Sequence, residues 1–206
     1  MGDVFIFDFD GTLVTRDVGD DLCDRFADPS WRDIDAAWER RELSLHQAQR
    51  RTWALVKADE DELLAWVREH VRLRSGLDSL LDRLAARGAR LVLASGGFGF
   101  YIEAVLHERL RRFEALFYNR ATFDRGSVSV DFPHLGTLGC DLCPVCKGRV
   151  CDRFGEGGAR VTFIGDGTSD RCAIGRADRL FAVRGSKLAR AAGPDAIEFE
   201  SFDEID

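Results

Sequence analysis

Three short apolar runs, separated by segments whose apolar residues recur at helical spacing, constrain the fold of this chain most. The runs cover residues 4–7, 90–94 and 161–164. Dense apolar runs of this kind are typical of buried strands. Strands that alternate with helices predict a parallel sheet with right-handed crossover connections. The expected fold class is therefore α/β.

Each of these runs leads into residues that can carry chemistry. The first is followed by two carboxylates and the second by a hydroxyl, while the third leads to two more carboxylates: Asp8 and Asp10, Ser95, and Asp166 and Asp170. Ligands of parallel sheets bind at the carboxyl ends of the strands, so these side chains are expected to meet there. Ionised carboxylates are costly to bury without a positive partner. The pattern therefore indicates a cation site.

The segment from 15 to 73 interrupts this alternation. It holds few β-branched residues and many charges, and its apolar residues recur at helical spacing. The pattern predicts about four helices that pack as a small bundle. The expected domains are an α/β core formed by residues 1–14 and 74–206, and a helical insert formed by residues 15–73.

Helix-capping patterns support this interpretation of the insert. Ser44 and Asp59 each precede a Gln or Glu by three residues, the spacing of a capping box, and Ser30 is expected to cap another helix. All four tryptophans of the chain fall in this segment: Trp31, Trp38, Trp53 and Trp66. We expect them mainly to fill the core of the insert, with one or two open to a cleft.

Two further local patterns lie in the second half of the chain. Residues 117–134 alternate around Asp124-Arg125-Gly126, which predicts a β-hairpin. A cysteine-rich loop follows, with its thiols at Cys140, Cys143, Cys146 and Cys151. Such a set could bind a structural Zn²⁺ tetrahedrally. The alternative, which is the default expectation, is a group of packed thiols that positions the neighbouring Lys147.

Charge and hydropathy exclude several classes of function. The net charge of −7 argues against a nucleic-acid binder that works by neutralising phosphates. No apolar run approaches the roughly 20 residues needed to span a bilayer, and no basic region or cleavage site marks a signal peptide. We therefore expect a cytoplasmic protein without nucleic-acid or membrane partners. The oligomeric state is open and includes a homodimer.

Four motifs in order along the chain resemble those of haloacid dehalogenase superfamily phosphatases, in the phosphoserine-phosphatase-like branch. They are Asp8-Phe9-Asp10-Gly11-Thr12, Ser95-Gly96-Gly97, Lys147 and Gly165-Asp166-Gly167-Thr168-Ser169-Asp170. The insert stands where that superfamily carries a helical cap of the C1 type. The resemblance implies a Rossmann-like core with this cap and the small hairpin.

The cysteine-rich loop before Lys147 and the hairpin narrow the resemblance. Both features resemble those of one subgroup of the superfamily. This subgroup contains the methionine-salvage 2-hydroxy-3-keto-5-methylthiopentenyl-1-phosphate phosphatases and the phosphocholine/phosphoethanolamine phosphatases. The substrate itself is not named by the sequence. The resemblance implies a small phosphorylated metabolite as the partner.

The resemblance also implies roles for the acidic residues. Asp8 would be the nucleophile that forms an aspartyl-phosphate. Asp10 would protonate the leaving alkoxide and then activate water. Mg²⁺ would be held by Asp8, the backbone carbonyl of Asp10 and Asp166, with Asp170 supporting from nearby. The expected function is Mg²⁺-dependent hydrolysis of a small phosphomonoester.

Phosphate binding is implied for a second set of residues. Ser95, Lys147 and backbone N–H groups near Phe9 and Gly96 would contact the phosphoryl oxygens. Lys147 would also offset the repulsion among the carboxylates. A phosphomutase or phosphotransferase uses the same pair of acids and is an alternative. A catalytically idle phosphate-binding module is the alternative outside enzymes.

Specificity is expected to depend on the helical insert. Asp17 stands nearest the position at which phosphoserine phosphatases carry an acid for the substrate's amino group, and Asp20 and Asp21 follow it. These acids would suit a cationic substrate group. Acids in the first turns of a helix also interact favourably with its dipole, and this is the default explanation for all three.

Overall fold

A seven-stranded sheet forms the centre of the computed structural model, which describes residues 2–206; residue 1 of the predicted core domain lies outside the described residues. The strand order is β4-β3-β2-β1-β5-β6-β7. Neighbouring strands are parallel except β4, which is antiparallel to β3. The strands are β1 (Asp3–Phe7), β2 (Arg90–Phe98), β3 (Ala115–Asp124), β4 (Ser127–Asp131), β5 (Arg160–Gly165), β6 (Arg179–Val183) and β7 (Ala196–Phe199). The predicted α/β class is confirmed.

Eight α-helices accompany the sheet. Five lie between β1 and β2, and three follow β2: α1 (Val18–Phe26), α2 (Trp31–Glu39), α3 (Leu45–Trp53), α4 (Glu60–His70), α5 (Leu77–Ala86), α6 (Gly99–Leu106), α7 (Lys147–Gly155) and α8 (Lys187–Ala192). Among residues 2–206, no helix combines the length and the apolar character that crossing a membrane requires.

The central strand β1 explains the unbroken apolar run at the start of the chain. Side chains alternate between the two faces of a strand. Phe5 and Phe7 pack into one hydrophobic core, and Val4 and Ile6 pack into a second core on the opposite face. All four are at most 3% exposed. Both faces of β1 are therefore buried, and a polar residue on either face would lack a solvent contact.

The register of the central strands sets where the site lies. Phe7 is level with Leu93 of β2 and with Ile164 of β5. The Asp8 N–H continues the ladder by donating to the Ile164 carbonyl, at 2.9 Å. The residues that follow these three strands therefore emerge side by side at one edge of the sheet.

The helical insert begins and ends beside the sheet edge. Val14 and Leu73 form an antiparallel bridge where the chain leaves the core and returns. Buried residues of the insert, including Leu22 and Leu63, belong to the same hydrophobic cluster as Phe7 of β1. The insert thus shares its core with the sheet instead of enclosing a separate one. The division of the chain at 14/15 and 73/74 stays a prediction.

Most local expectations for the insert agree with the structure. Both capping boxes are present, at the starts of α3 and α4. The expected capping by Ser30 is wrong, because Ser30 itself has helical dihedral angles and its side chain caps nothing. Its N–H and hydroxyl instead donate to Asp28 Oδ1, at 3.0 and 2.6 Å. Asp28 therefore organises the turn before α2.

Two expectations for the second half have different outcomes. The predicted hairpin is confirmed as β3 and β4, whose connecting residues Arg125 and Gly126 have φ of 48° and 76°. Positive φ at both positions is typical of the tight turns that join antiparallel strands. The expected alternation of strands with helices is less regular after β5, where Thr168–Ala173 form a short 3-10 helix instead of an α-helix.

Candidate active site

The turn after β1 is shaped by a glycine and an arginine. Gly11 has φ of 68°, and a Cβ there would lie 2.3 Å from Asp166 Oδ2. Arg74 donates from its guanidinium to the carbonyls of Gly11 and Thr12, at 2.6 and 2.9 Å. The glycine therefore lets the turn approach Asp166 closely, and the arginine holds the turn in place.

Lys147 is buried between two carboxylates. Its Nζ lies 2.9 Å from Asp8 Oδ1 and 2.5 Å from Asp170 Oδ1, and it donates to Ser169 Oγ at 3.0 Å. Lys147 is 1% exposed. Burial alone lowers the pKa of a lysine, but the charges of Asp170 and Asp8 outweigh burial and raise the pKa of Lys147. The ammonium group is therefore firmly charged.

Three carboxylates meet beside this lysine. Oxygens of Asp8, Asp166 and Asp170 lie within 4.8 Å of one another. Asp166 accepts from Thr12 Oγ1 at 3.1 Å, and Asp170 accepts from the N–H groups of Asp166 and Gly167, at 2.9 and 2.8 Å. The structure thus brings together three predicted metal-site acids from two strand ends.

The carboxylates of this cluster outnumber the positively charged side chains that contact them. Burial, followed by the charge of Asp170, raises the pKa of Asp8 well above its usual range and that of Asp166 to about 7. Lys147 supplies one positive charge against three clustered carboxylates. A hard divalent cation such as Mg²⁺ prefers carboxylate oxygens at such a site. The donor set therefore fits Mg²⁺.

Asp10 points to a different environment from Asp8. Its Oδ1 accepts from the Val18 N–H and its Oδ2 accepts from the Tyr101 hydroxyl, both at 3.0 Å. Burial and the neighbouring Asp17 raise the pKa of Asp10, and these two hydrogen bonds oppose the rise. Asp8 and Asp10 therefore face one cavity with distinct partners.

Tyr101 is a site residue that the sequence analysis missed. It is 1% exposed and lies on α6. A Cβ at Gly97 would be 2.1 Å from the Tyr101 hydroxyl and 2.5 Å from Asp10 Oδ2, so Gly97 leaves room for their contact. Without a structure, a lone tyrosine among the apolar residues of a helix carries no signal of this role.

The C-terminal end of β2 forms an irregular loop between Ala94 and Phe98, where the register with β3 shifts; it contains Ser95 and two glycines, Gly96 and Gly97, that line the cavity. The Ser95 side chain is fully buried, and its Oγ accepts from the Gly97 N–H at 2.9 Å. The Gly96 carbonyl accepts from Gln49 Nε2 and Asn119 Nδ2, at 2.8 and 2.7 Å. Gln49 and Asn119 fix this loop from the insert and from β3, and the sequence analysis missed both.

A cavity of about 360 Å³ lies between the sheet edge and the helical insert. Residues from the predicted catalytic, phosphate-binding and metal-binding sets line one part of it: Asp8, Asp10, Gly96, Lys147 and Asp166. Three tryptophans and three acids of the insert line the rest: Trp31, Trp38, Trp53, Asp17, Asp20 and Asp35. The expectation that one or two tryptophans face a cleft thus understates their number.

The three predicted specificity acids have different positions. Asp17 and Asp20 line the cavity, while Asp21 forms an ion pair with Arg16. Asp17 accepts from the Asp20 N–H at 2.9 Å and so caps α1. Burial and then the charges of Asp17 and Asp35 raise the pKa of Asp20 to about 8. The cavity wall is therefore acidic and aromatic.

The cysteines of the predicted zinc set separate in the structure. The sulfurs of Cys140, Cys143 and Cys146 lie within 4.8 Å of one another. Cys151 is on α7 and packs in the hydrophobic core with Val150. All six cysteines of the chain are free thiols. The structure therefore brings together three of the four expected residues.

Comparisons with known proteins identify relatives of this chain. The chain is 26% identical over 181 residues to a 2-hydroxy-3-keto-5-methylthiopentenyl-1-phosphate phosphatase of Bacillus velezensis, covering 87% of this chain and 77% of that protein. A protein of the same name from Exiguobacterium sibiricum is 25% identical over 178 residues, covering 85% and 81%.

A solved structure shares the fold. It is a phosphoserine phosphatase with an analogue of the phospho-aspartyl intermediate, with a TM-score of 0.74 and 21% identity over 99% of this chain and 97% of that chain. Residues 5–174 match the model of the haloacid dehalogenase-like hydrolases, a span that includes every predicted metal-site acid. The chain therefore belongs to the haloacid dehalogenase-like hydrolase family.

Proposed function

We propose that this protein hydrolyses a small phosphomonoester through an aspartyl-phosphate on Asp8. The observation that carries the proposal is that Asp8 and Asp10 line the same cavity but have different partners. Asp8 forms an ion pair with Lys147, and Asp10 accepts a hydrogen bond from Tyr101. Two carboxylates in different environments can take different roles at the same pH. The phosphatase names of the related proteins support the same reaction.

Mg²⁺ is the cofactor that we propose for the carboxylate cluster. Asp8, Asp166 and the backbone carbonyl of Asp10 would hold it, with Asp170 supporting through Lys147 and the loop N–H groups. When bound, the ion neutralises charge on the phosphoryl oxygens and lowers the repulsion between the ester and Asp8.

In the first step, a carboxylate oxygen of Asp8 forms a bond to phosphorus as the ester P–O bond breaks. The leaving alkoxide takes a proton from Asp10, and the raised pKa of Asp10 favours the protonated acid that this step requires. In the second step, Asp10 accepts a proton from water as the water oxygen attacks phosphorus. The Asp8–phosphorus bond breaks, and inorganic phosphate leaves.

The phosphoryl group would lie among Ser95, Lys147 and the N–H groups near Phe9 and Gly96. Because the Ser95 Oγ already accepts from Gly97, its own hydroxyl proton is free to donate to a phosphoryl oxygen. Lys147 adds a positive charge that the protein interior does not screen well. These donors would stabilise the charge that develops during transfer.

The helical insert would determine the substrate specificity and limit the access of water to the cavity. We propose that Asp17 and Asp20 face the part of the substrate away from the phosphate, while Asp21 is excluded by its pairing with Arg16. Acids beside aromatic rings attract cationic groups. A phosphomonoester with a positively charged or amino-bearing group is therefore the favoured substrate class.

A panel assay tests the reaction. Cationic, neutral and anionic phosphomonoesters are incubated with the protein, with and without Mg²⁺, and free phosphate is measured. We expect Mg²⁺-dependent release and no turnover by Asp8→Asn. Asp124→Asn is the matched control, because Asp124 is an exposed aspartate at the end of β3, next to the hairpin turn.

The outcomes separate the rival functions. Turnover by Asp8→Asn would refute the nucleophile assignment. An isomerised or transferred phosphoryl group without free phosphate would indicate a mutase or phosphotransferase. Tight binding of a phosphomonoester without conversion would indicate a binding module.

A further inference from the structure

A group of thiols lies at the junction of two loops that also carry active-site residues. The sulfurs of Cys140, Cys143 and Cys146 lie within 4.8 Å of one another in the loop that precedes α7. A fourth thiol lies beside this group on the turn after β5: the Cys172 sulfur accepts from the N–H of Gly148, the second residue of α7, at 3.2 Å, and it interacts electrostatically with Cys143 and Cys146. All four sulfurs belong to cysteines without disulfides.

We propose that Cys140, Cys143, Cys146 and Cys172 bind one structural Zn²⁺. Four thiolates around zinc form a tetrahedron with Zn–S distances of about 2.3 Å, which places the sulfurs about 3.8 Å apart. The three clustered sulfurs are already within about 1 Å of this spacing. The Cys172 sulfur lies outside this group of three, so it would have to move closer to at least one of them to complete the tetrahedron.

Cys172 is the fourth ligand in this assignment because contacts with the backbone of α7 hold it beside the group. Gly148 of α7 donates its N–H to Cys172 Sγ at 3.2 Å. A Cβ at Gly148 would lie 2.2 Å from the Cys172 carbonyl oxygen, so glycine permits this close approach. A backbone N–H aimed at a ligand sulfur is the kind of outer contact that orients metal ligands.

Cys151, the residue that sequence spacing suggested, has a different environment. It is 1% exposed and packs in the hydrophobic core with Val150 and Phe154 on α7. Turning its sulfur toward the other thiols would open a gap in this core, and such gaps are costly. Cys151 is therefore a core residue and an internal control.

The position of the metal site gives it a structural task. Cys146 directly precedes Lys147, and Cys172 follows Asp170 by two residues. A zinc ion bound by both loops would tie together the two segments whose side chains form the buried Lys147–Asp170 ion pair. This inference concerns metal content and stability, so it stands or falls independently of the proposed phosphatase reaction.

Elemental analysis tests the site directly. The protein is produced in zinc-supplemented medium, purified under reducing conditions without chelator, and measured for zinc per chain. We expect about one zinc per chain in the parent protein and in Cys151→Ser, and a large loss in Cys172→Ser. Circular dichroism of each variant shows whether it is folded.

A second measurement does not depend on any variant. Zinc is removed from the parent protein with a chelator and replaced by Co²⁺, and the visible absorption is recorded. We expect the strong ligand-field bands of tetrahedral thiolate coordination, and a fall in melting temperature when the metal is absent. Substoichiometric zinc in the parent protein with no Co²⁺ uptake would overturn the proposal. So would a disulfide among the four cysteines, or loss of zinc from Cys151→Ser with retention in Cys172→Ser.

Discussion

Replacing Lys147 with methionine tests how the buried charges are held. The lysine Nζ lies 2.9 Å from Asp8 Oδ1 and 2.5 Å from Asp170 Oδ1, and the three side chains are at most 5% exposed. Methionine keeps much of the length and removes the charge. The change therefore leaves two buried carboxylates without their shared cation.

The expected loss follows from burial. Removing one partner of a buried ion pair costs about 3–5 kcal/mol, because the remaining charge is desolvated and unpaired. In a protein of this size, 1 kcal/mol lowers the melting temperature by roughly 2–4 °C, so we expect Lys147→Met to lower it by roughly 6–20 °C in magnesium-free buffer. Burial already raises the pKa of Asp8, and a carboxyl whose pKa is raised by folding gains stability as pH falls. The loss should therefore be smaller at pH 5 than at pH 8.

Thermal unfolding followed by circular dichroism measures this loss. Lys57→Met is the matched control, because Lys57 is exposed and its backbone contact with Phe26 survives the change. The control should change the free energy of unfolding by no more than about 0.5 kcal/mol. If Lys147→Met unfolds at the same temperature as Lys57→Met at pH 8, the ion pairs do not stabilise the fold as argued.

Three further predictions concern the same cavity. Tyr101→Phe removes a hydrogen bond to Asp10 worth about 1.5–3 kcal/mol, so the pKa of Asp10 should rise by about 1–2. The alkaline limb of the kcat–pH profile should then move to higher pH, and an unchanged profile would contradict this reasoning. Gly11→Ala should destabilise more than Gly88→Ala, since both have φ of 68° but only Gly11 faces a carboxylate; equal melting temperatures contradict this. Because the pKa of Asp166 is about 7 without metal, Mg²⁺ should raise the melting temperature more at pH 8 than at pH 6, as differential scanning fluorimetry can show.

The positions of strands and helix starts could be predicted from the sequence because they depend on residues that are close together along the chain. The apolar runs marked β1, β2 and β5, since strands buried on both faces need apolar residues throughout. The capping boxes at Ser44 and Asp59 marked helix starts, because a cap is completed within four residues. The prediction for Ser30 was wrong because its outcome depended on a competing local contact. The Ser30 N–H and hydroxyl donate to Asp28, so the Ser30 side chain does not cap α2.

The amino-acid order alone determined the α/β class and which acids stand at strand ends, because parallel strands place those ends together. Tertiary structure alone decided the partners of those acids. Tyr101 meets Asp10 across 91 positions, and Cys172 rather than Cys151 meets the thiols before Lys147. Such contacts depend on how separate segments pack in three dimensions, and neither residue type nor local spacing records that packing.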